Sequence, residues 1–395
     1  MYFSWTEIDL NALRDNILAV RAALPQHCAL MLPLKANAYG HGLEATAKAA
    51  HEFGVEWLGL ATLREALDVK HYVPEARILV LGPCEPDDAK ALHVHSITPI
   101  IVDLDNAAAM NEAARRMHVR LVAHLKIDTG MGRIGFDAEH KLEDIWKATQ
   151  LANLQVEGIL SHYATADEDD SHYAIGQHDR FKRVLKFLRE RNVEVPIKHI
   201  SNSGGFMNIA HSDYDMVRPG ILLYGAYGRT DGAVRRDIQT RPLLSWKTNV
   251  TFIKEVFPDQ PIGYGAAYKA KKHTKIATIE VGYGDGFRRI LANRAQVLIR
   301  GMRYPVVGRI SMDQTTVDLG LVSDVMVGDE VCLLGRQLDD EISVHELARQ
   351  METIPYEVYT SISARVERRY FFNRELIHSF VFSNFSLMAG SILRP

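Results

Sequence analysis

Short apolar runs alternate with segments of helical periodicity over roughly the first 240 residues. An amphipathic stretch, with Leu10, Leu13, Ile17, Leu18 and Ala22 at helical spacing, comes first. Eight runs follow, at residues 30–34, 57–60, 78–81, 97–102, 121–127, 156–160, 197–200 and 216–217. This alternation is typical of parallel strands, and eight units predict a closed (β/α)8 barrel. A doubly wound open sheet also fits, but the barrel is preferred because candidate functional residues cluster just after the runs.

A change of pattern near Arg241-Pro242 predicts a second, smaller and mostly β domain. Closely spaced apolar stretches occupy residues 245–257, 275–281, 295–299, 304–310 and 331–334, with one helical window at 344–351. We therefore predict a (β/α)8 barrel domain at residues 1–240, a β domain at 241–372 and a tail of unknown order at 373–395. The apolar residues of the tail are interrupted by serines and Asn384, which indicates packing or disorder rather than a bilayer span.

Charge and cysteine content exclude several classes of partner. The 395 residues include 46 basic and 49 acidic side chains, and no long basic run favours nucleic acid or an anionic membrane. Cys28, Cys84 and Cys332 are odd in number and widely spaced, which indicates a reducing compartment rather than a zinc site or disulfide framework. The first residues lack a basic region followed by an apolar stretch, so we predict a cytoplasmic protein.

A lysine at the end of the first run is the most informative residue. Residues 34–42 read Leu-Lys-Ala-Asn-Ala-Tyr-Gly-His-Gly. Most lysines are surface cations, but Lys35 at the end of a buried barrel strand would be desolvated and its pKa lowered, as Schiff-base chemistry requires. Tyr39 lies in the following turn, where its hydroxyl could reach a phosphate.

The fifth run ends in a second cluster of charged residues. A glycine-rich turn, Gly130-Met131-Gly132-Arg133, presents Arg133 at the same barrel end, where it can bind a carboxylate or form a surface ion pair. Lys126 and Asp128 are two residues apart on a strand and share a face. If that face points inward, Lys126 is buried and needs a partner.

Polar groups follow the last three runs in the same phase. These segments read Ser161-His162-Tyr163, Asn202-Ser203-Gly204-Gly205 and Arg218-Pro219-Gly220-Ile221. Loops after strands seven and eight of such barrels often bind phosphate through hydroxyl and amide groups. Each motif alone is more often a structural histidine or a plain turn, and their shared position is what favours a site.

The second domain contributes tyrosines flanked by glycine. Residues 263–265 read Gly-Tyr-Gly, residues 282–286 read Gly-Tyr-Gly-Asp-Gly, and residues 308–314 read Gly-Arg-Ile-Ser-Met-Asp-Gln. Alone, such a motif is a turn with an exposed aromatic side chain. Beside the barrel motifs it indicates loops that approach a ligand closely.

Taken together, these motifs resemble those of the alanine racemases, from about residue 5 to residue 370. The resemblance rests on the Lys35 segment, residues 128–135, 162–167, 202–203, 218–221 and 308–314, Tyr264, and Pro355-Tyr356-Glu357. It implies an isomerase that uses pyridoxal 5′-phosphate (PLP) to interconvert L- and D-alanine, either supplying D-alanine for peptidoglycan or serving alanine breakdown. It also implies a head-to-tail homodimer with shared active sites.

The resemblance assigns the two catalytic bases. Lys35 is similar to the lysine that holds PLP as a Schiff base and removes the α-proton of D-alanine. Tyr264 matches the opposing base for L-alanine, which enters from the other subunit. Arg218 matches the arginine that faces the pyridine nitrogen and leaves it unprotonated, and His162 matches the histidine that links it to the catalytic tyrosine.

Binding and supporting roles are implied in the same way. Arg133 and Met312 match contacts to the substrate carboxylate. The phosphate-binding positions are Tyr39, Ser203, Tyr356 and the amides of Gly220 and Ile221. Lys126 matches a lysine that is often carbamylated, and it is grouped with Asp313 as a supporting residue.

Several alternatives stay open. A broad-specificity or serine racemase would share most motifs, although the bulk of Tyr356 is expected to favour the methyl group of alanine. A decarboxylase would not need Arg218, and a metal-dependent aldolase would need a ligand set for which His93 and His95 are the local candidates, so we expect no metal. A non-catalytic PLP carrier would resemble the barrel alone.

Overall fold

The computed structural model of the protein describes residues 4–227 and 236–380. Its packing divides the chain into two compact units, Leu10–Leu243 and a second unit of Met1–Asp9 with Leu244–Pro395. The sequence analysis began the barrel domain at residue 1, whereas the structure places the opening strand Ser4–Asp9 in the second unit. The reason is strand pairing, because Ser4–Asp9 runs antiparallel to Leu244–Val256 and parallel to Glu367–Phe372.

Eight parallel strands form the barrel of the first unit, which confirms the predicted fold. Each strand overlaps one of the eight predicted apolar runs, because a strand that is buried on both faces has a continuous apolar sequence. In chain order the strands are Ala29–Pro33, Trp57–Leu60, Arg77–Pro83, Ile97–Ile101, Leu121–Asp128, Leu154–Leu160, Ile197–His199 and Met216–Val217. Each strand pairs with the next up to the seventh, and the eighth pairs with the first. The amide of Asp215 donates to the carbonyl of Lys198 at 3.0 Å and links the seventh and eighth strands.

Helices follow the barrel strands in the chain. The main ones are Leu10–Ala22, Leu43–Glu52, Leu63–Tyr72, Ala89–Val94, Leu104–Arg116, Leu142–Thr149 and His172–Arg189, with shorter turns at Lys35–Tyr39, Ser203–Asn208 and Gly220–Leu223. Side-chain caps begin three of them: Thr62 accepts from the Glu65 amide, Asp103 from the Asn106 amide and Asn202 from the Gly205 amide. No helix in the described part of the chain is both long and apolar enough to cross a membrane.

The barrel interior is a packed apolar core. Six strands each contribute one buried side chain to it, namely Met31, Trp57, Leu79, Ile100, Leu160 and Met216. Interiors of this kind leave no channel, so chemistry is confined to the carboxyl ends of the strands and the loops that follow them.

The second unit is mostly β, as predicted. Its long strand Leu244–Val256 alternates buried and partly exposed residues over most of its length and pairs with three neighbours, as expected for a sheet with one buried face. The other strands are Ser4–Asp9, Pro261–Ile262, Tyr268–Lys269, Thr274–Ile279, Gln296–Ile299, Met302–Pro305, Thr315–Gly320, Glu330–Gln337, Asp340–Ile342, Glu367–Phe372 and Glu375–Phe380, and the helices are Val344–Gln350 and Pro355–Ser361.

The structure refines two predictions for the second unit, namely the apolar stretch at 304–310 and the start of the tail. The stretch predicted at 304–310 is strand only as far as Pro305, and Gly308 has a left-handed φ of 77° that is incompatible with a continuing strand. The predicted tail begins with the strand Glu375–Phe380, which pairs with Glu367–Phe372. The rest of the tail, residues 381–395, lies outside the described residues.

Candidate active site

Lys35 lies directly after the first barrel strand, at the start of an unusual turn. The four residues that follow it, 36–39, all have left-handed φ values between 52° and 56°. Such backbone costs about 1–2 kcal/mol per non-glycine residue and is typical of functional sites. Side chains hold the turn in place: Asn37 Oδ1 accepts from the Leu43 amide at 2.7 Å, and Glu65 Oε1 from the Ala36 amide at 2.9 Å.

The surroundings of Lys35 favour its neutral form. Burial lowers the pKa of Lys35, the positive charge of Arg133 lowers it further, and Glu65 opposes the effect. Arg218 also lowers it. The structure therefore agrees with the sequence argument that a lysine at this barrel end is desolvated.

Asp128 organises the loop that carries Arg133. Its Oδ1 accepts from the amides of Gly130 at 2.8 Å, Met131 at 2.8 Å and Gly132 at 3.1 Å, and its Oδ2 accepts from the Arg133 amide at 3.2 Å. Burial raises the pKa of Asp128, but the amide bonds outweigh burial and the net pKa is lowered. The Arg133 side chain is exposed at this rim.

Lys126 faces inward and is 4% exposed. Its Nζ donates to the backbone carbonyl of Ile127 at 2.9 Å. The net pKa of Lys126 is lowered to about 7. Burial is the largest cause, the charge of Arg218 also lowers the pKa, and the charge of Asp128 raises it. The amine therefore loses its proton far more readily than an ordinary lysine.

Arg218 is the central buried cation of the site. Its guanidinium donates to His199 Nδ1 at 2.7 Å, to the carbonyl of Ser161 at 2.6 Å and to that of Ile200 at 3.1 Å. His162 Nδ1 lies 3.4 Å from the same group. Burial lowers the pKa of Arg218 to about 10, which leaves it charged at neutral pH. The pKa of His162 is held well below its usual value, first by burial and then by Arg218.

Tyr39, Ser203 and the first turn of Gly220–Leu223 form a crowded cradle. A Cβ atom added at Gly220 would lie 2.8 Å from the Tyr39 hydroxyl oxygen, so the hydroxyl lies against this backbone. The Ser203 hydroxyl accepts from the Leu222 amide at 3.3 Å. Tyr39 is buried against the ring of Tyr224, with centroids 4.9 Å apart. Two hydroxyls and the backbone of one helical turn thus converge, as an anion site requires.

In the second unit, Tyr264 begins a short 3₁₀ turn between two glycines of left-handed φ. Its side chain is 69% exposed on the single chain. A Cβ at Gly265 would lie 2.6 Å from the Arg309 guanidinium, so glycine lets this turn pack against the 308–314 loop. A large aromatic side chain is therefore presented outward on a fixed backbone.

Met312 and Asp313 lie on that neighbouring loop, which is tied to the 282–286 segment. The Met312 carbonyl accepts from the Gly284 amide at 2.8 Å. Arg365 bridges the two segments, donating to Asp313 at 2.8 Å and to Asp285 at 2.7 Å. Tyr356, the remaining predicted residue, lies in the first turn of the helix Pro355–Ser361.

The barrel brings together the predicted residues that precede residue 240. They lie at the carboxyl ends of its strands: Lys35, Tyr39, Lys126, Arg133, His162, Ser203, Arg218, Gly220 and Ile221. The other four belong to the second unit: Tyr264, Met312, Asp313 and Tyr356.

The sequence-based prediction included Asp128 without a role and did not include His199 and His124. His199 and Asp128 hold Arg218 and the Arg133 loop, and His124 contacts His199. A signal was present, since His124, Lys126 and Asp128 alternate along one strand and share one face. His93 and His95, by contrast, are exposed, and no three potential metal-binding side chains cluster within residues 4–227 and 236–380.

The residues present fit PLP. A lysine of lowered pKa can bond covalently to its aldehyde, a buried arginine can face its ring nitrogen, and the Tyr39 hydroxyl can lie against the Gly220 backbone only because residue 220 lacks a side chain. Fold and site together define a PLP-dependent barrel enzyme.

Similarity to known proteins shows to which family of PLP-dependent enzymes the chain belongs. The family model for the alanine racemase N-terminal domain matches residues 8–228, and that for the C-terminal domain matches residues 243–370. The chain therefore belongs to the alanine racemase family, whose members are PLP-dependent isomerases. It is 39% identical to an alanine racemase of Halothermothrix orenii, over 93% of this chain and 96% of that one, and 41% identical to one of Symbiobacterium thermophilum, over 93% and 97%.

Solved structures of alanine racemases have the same fold as this chain. An alanine racemase of Clostridium difficile superposes with a TM-score of 0.91 at 35% identity, covering 97% of this chain and 99% of that one. One from Bacillus anthracis with bound L-Ala-P gives 0.90 at 32% identity, covering 97% and 98%. One from Bartonella henselae, described with covalently bound pyridoxal phosphate, gives 0.84 at 27% identity, covering 94% and 100%.

Proposed function

We propose that this protein racemises alanine with two bases, Lys35 and Tyr264, placed on opposite faces of the substrate. The observation that carries the proposal is the position of Lys35: it lies directly after the first strand, in a rigid left-handed turn, with its pKa lowered by burial and by Arg133. Racemisation requires one group that removes the α-proton and another that returns a proton from the other side.

The cofactor would be held mainly by residues that follow the barrel strands. Lys35 would bond to it, Arg218 would face its ring nitrogen, and the phosphate would be bound by Tyr39, Ser203, Tyr356 and the amides of Gly220 and Ile221. Bound PLP supplies an electron sink that makes the α-proton of an attached amino acid acidic. The charge of Arg218, which persists at neutral pH because its pKa is about 10, would keep the ring nitrogen unprotonated.

Arg133 and Met312 would each contact the substrate carboxylate, and Asp313 would support the Met312 loop through Arg365. The Asp128 carboxylate supports this role because it fixes the Arg133 backbone. His162, whose Nδ1 faces Arg218, would position the phenolic oxygen of the catalytic tyrosine.

Tyr264 would act in a second copy of the chain, in a head-to-tail homodimer with shared active sites. The exposure of its side chain on a turn braced by two glycines supports a partner that covers it. An isolated subunit would then be inactive. We also propose that the protein is cytoplasmic, since its three cysteines are buried and free.

Lys126 is proposed to be carbamylated. Its amine is buried and has a pKa of about 7, so an unprotonated nitrogen is available to attack carbon dioxide, forming an N–C bond and releasing one proton. The resulting carbamate would place a negative charge near Arg133 and Arg218, the two cations whose charges lower the pKa of the unmodified amine. The mass spectrum of the intact protein would show the addition, and its absence would contradict this part.

The test of the main proposal compares the wild type with Lys35→Ala and Tyr264→Phe proteins prepared identically. We expect visible absorbance of bound cofactor and racemisation of L-alanine for the wild type. Lys35→Ala should lose the covalent absorbance, whereas Tyr264→Phe should keep it and lose α-proton exchange from L-alanine in deuterated water.

Two results would overturn the proposal. A wild type that binds PLP but leaves alanine untouched would favour another substrate or a carrier role. A Tyr264→Phe protein that still exchanges the α-proton of L-alanine at the wild-type rate would remove Tyr264 as a base.

A further inference from the structure

A line of polar side chains extends from Arg218 into the barrel. Arg218 Nη1 lies 2.7 Å from His199 Nδ1, and His199 Nε2 lies 2.9 Å from His124 Nδ1. His124 Nε2 in turn faces Glu157 Oε2 at 3.5 Å. Both histidines are fully buried, whereas Glu157 is partly exposed and accepts from Arg77 at 2.8 Å.

The hydrogen-bond direction along this line is fixed by its first member. A guanidinium only donates, so His199 Nδ1 must accept and carry no proton. A neutral His199 then has its proton on Nε2 and donates to His124 Nδ1. By the same rule His124 carries its proton on Nε2, which points at the Glu157 carboxylate.

Burial keeps both rings neutral. It is the largest cause lowering the pKa of His199 and of His124, and Arg218 lowers both further. Glu157 and its hydrogen bond act in the opposite direction on His124. Two neutral rings, each in one tautomer, thus separate the buried cation of Arg218 from the carboxylate of Glu157.

The sequence makes room for this arrangement. A Cβ atom at Gly158 would lie 2.4 Å from the His124 ring, so a side chain at residue 158 is incompatible with the ring position. Trp57 packs beside His124 with centroids 5.5 Å apart, and the Arg77 guanidinium stacks 4.0 Å from the Trp57 ring. The far end of the line is therefore held by packing as well as by charge.

We propose that His199, His124 and Glu157 are positioning residues that hold the Arg218 guanidinium: two one-directional hydrogen bonds link Arg218 to His199 and His199 to His124, and the Glu157 carboxylate attracts the far N–H of His124 electrostatically at 3.5 Å. The chain fixes which N–H groups of Arg218 are used internally and which face the ring nitrogen of the cofactor. This inference rests on the proposed function only for its effect on catalysis, since the tautomers themselves are a property of the barrel.

The tautomers are tested by ¹⁵N NMR of histidine-labelled protein, with the two signals assigned from His199→Gln and His124→Gln spectra. We expect both rings to be neutral with the proton on Nε2 at neutral pH. A proton on Nδ1 of either ring, or a cationic ring, overturns the proposal, whether or not alanine proves to be the substrate.

The role of Glu157 is tested by Glu157→Gln, which keeps the shape and removes the charge. The matched control is Glu56→Gln, since Glu56 is also an ion-paired carboxylate of the barrel unit, bound to Arg21 and the Leu30 amide. We expect Glu157→Gln to shift the His199 signals and lower kcat for alanine about fivefold at unchanged KM, because a 3.5 Å contact contributes less than a short charge-assisted hydrogen bond. The control should change neither.

Two outcomes overturn the role of Glu157. If the His199 signals of Glu157→Gln match those of the wild type, the charge of Glu157 has no effect on His199. If the signals shift but kcat is unchanged, the line of side chains does not position Arg218 for catalysis. A wild type that does not turn over alanine would instead overturn the proposed function. The NMR spectra would then still test the predicted tautomers of His199 and His124.

Discussion

Substituting Gly220 by alanine places a methyl group 2.8 Å from the hydroxyl oxygen of Tyr39 and 3.3 Å from its Cζ. Real side-chain contacts are longer, so one of the two must move. Gly220 lies in helical backbone that alanine accepts, and the cost therefore comes from space alone. Tyr39 is buried against Tyr224, so its ring cannot simply swing away.

The magnitude follows from the cost of overpacking. Forcing a methyl group into a filled site costs about 1–3 kcal/mol. If the strain is released by displacing the Tyr39 hydroxyl from the proposed phosphate site, the dissociation constant for PLP should rise about 5- to 150-fold. Any strain of the Gly220→Ala substitution that does not weaken PLP binding should instead lower the unfolding free energy of the cofactor-free protein.

Fluorescence titration of cofactor-free protein with PLP measures the first effect, and thermal unfolding the second. Gly176→Ala is the matched control. Gly176 lies inside the helix His172–Arg189, and a Cβ there meets only the Arg180 guanidinium at an ordinary 3.6 Å. This substitution should leave PLP affinity unchanged and raise stability by about 0.5–1 kcal/mol.

The double variant Gly220→Ala with Tyr39→Phe separates the two contacts. Removing the hydroxyl eliminates the shorter contact, so the double variant should lose less stability than the sum of the single changes. Gly220→Ala protein that binds PLP as tightly as the wild type and unfolds at the same temperature would refute this account of the cradle.

Two further predictions concern the charged residues of the fifth strand. Lys126 has a folded pKa of about 7 against an ordinary 10.5, so between these values the unfolded chain binds the extra proton and the unfolding free energy should rise with pH. In carbonate-free buffer, denaturant unfolding should show this slope for the wild type and a smaller one for Lys126→Met; equal slopes would contradict the burial of a neutral amine. Asp128→Asn weakens the amide bonds that fix Arg133, so KM for alanine should rise by about tenfold, corresponding to ~1.5 kcal/mol for bonds to a charged group, while kcat changes less. Asp103→Asn, which alters a similar amide contact at the start of Leu104–Arg116, should leave both parameters unchanged, and an equal effect of the two substitutions would contradict a specific role for Asp128.

The order and kind of the barrel elements could be predicted from hydrophobic periodicity alone. Runs such as 57–60 and 216–217 coincide with strands, because a strand buried on both faces must be apolar throughout. The sequence also predicted that the candidate site residues of the barrel lie at the strand ends, because their polar motifs follow the runs in a fixed phase.

Tertiary structure alone decided contacts between residues distant in the chain. The opening strand Ser4–Asp9 pairs with a partner more than 200 residues away, and no local pattern encodes that choice. In the same way, the line from Arg218 through His199 and His124 joins three separate strands, and hydrogen-bond direction depends on which donor meets which acceptor. Periodicity gives the face on which a side chain lies, whereas the partner on that face is fixed only when the barrel closes.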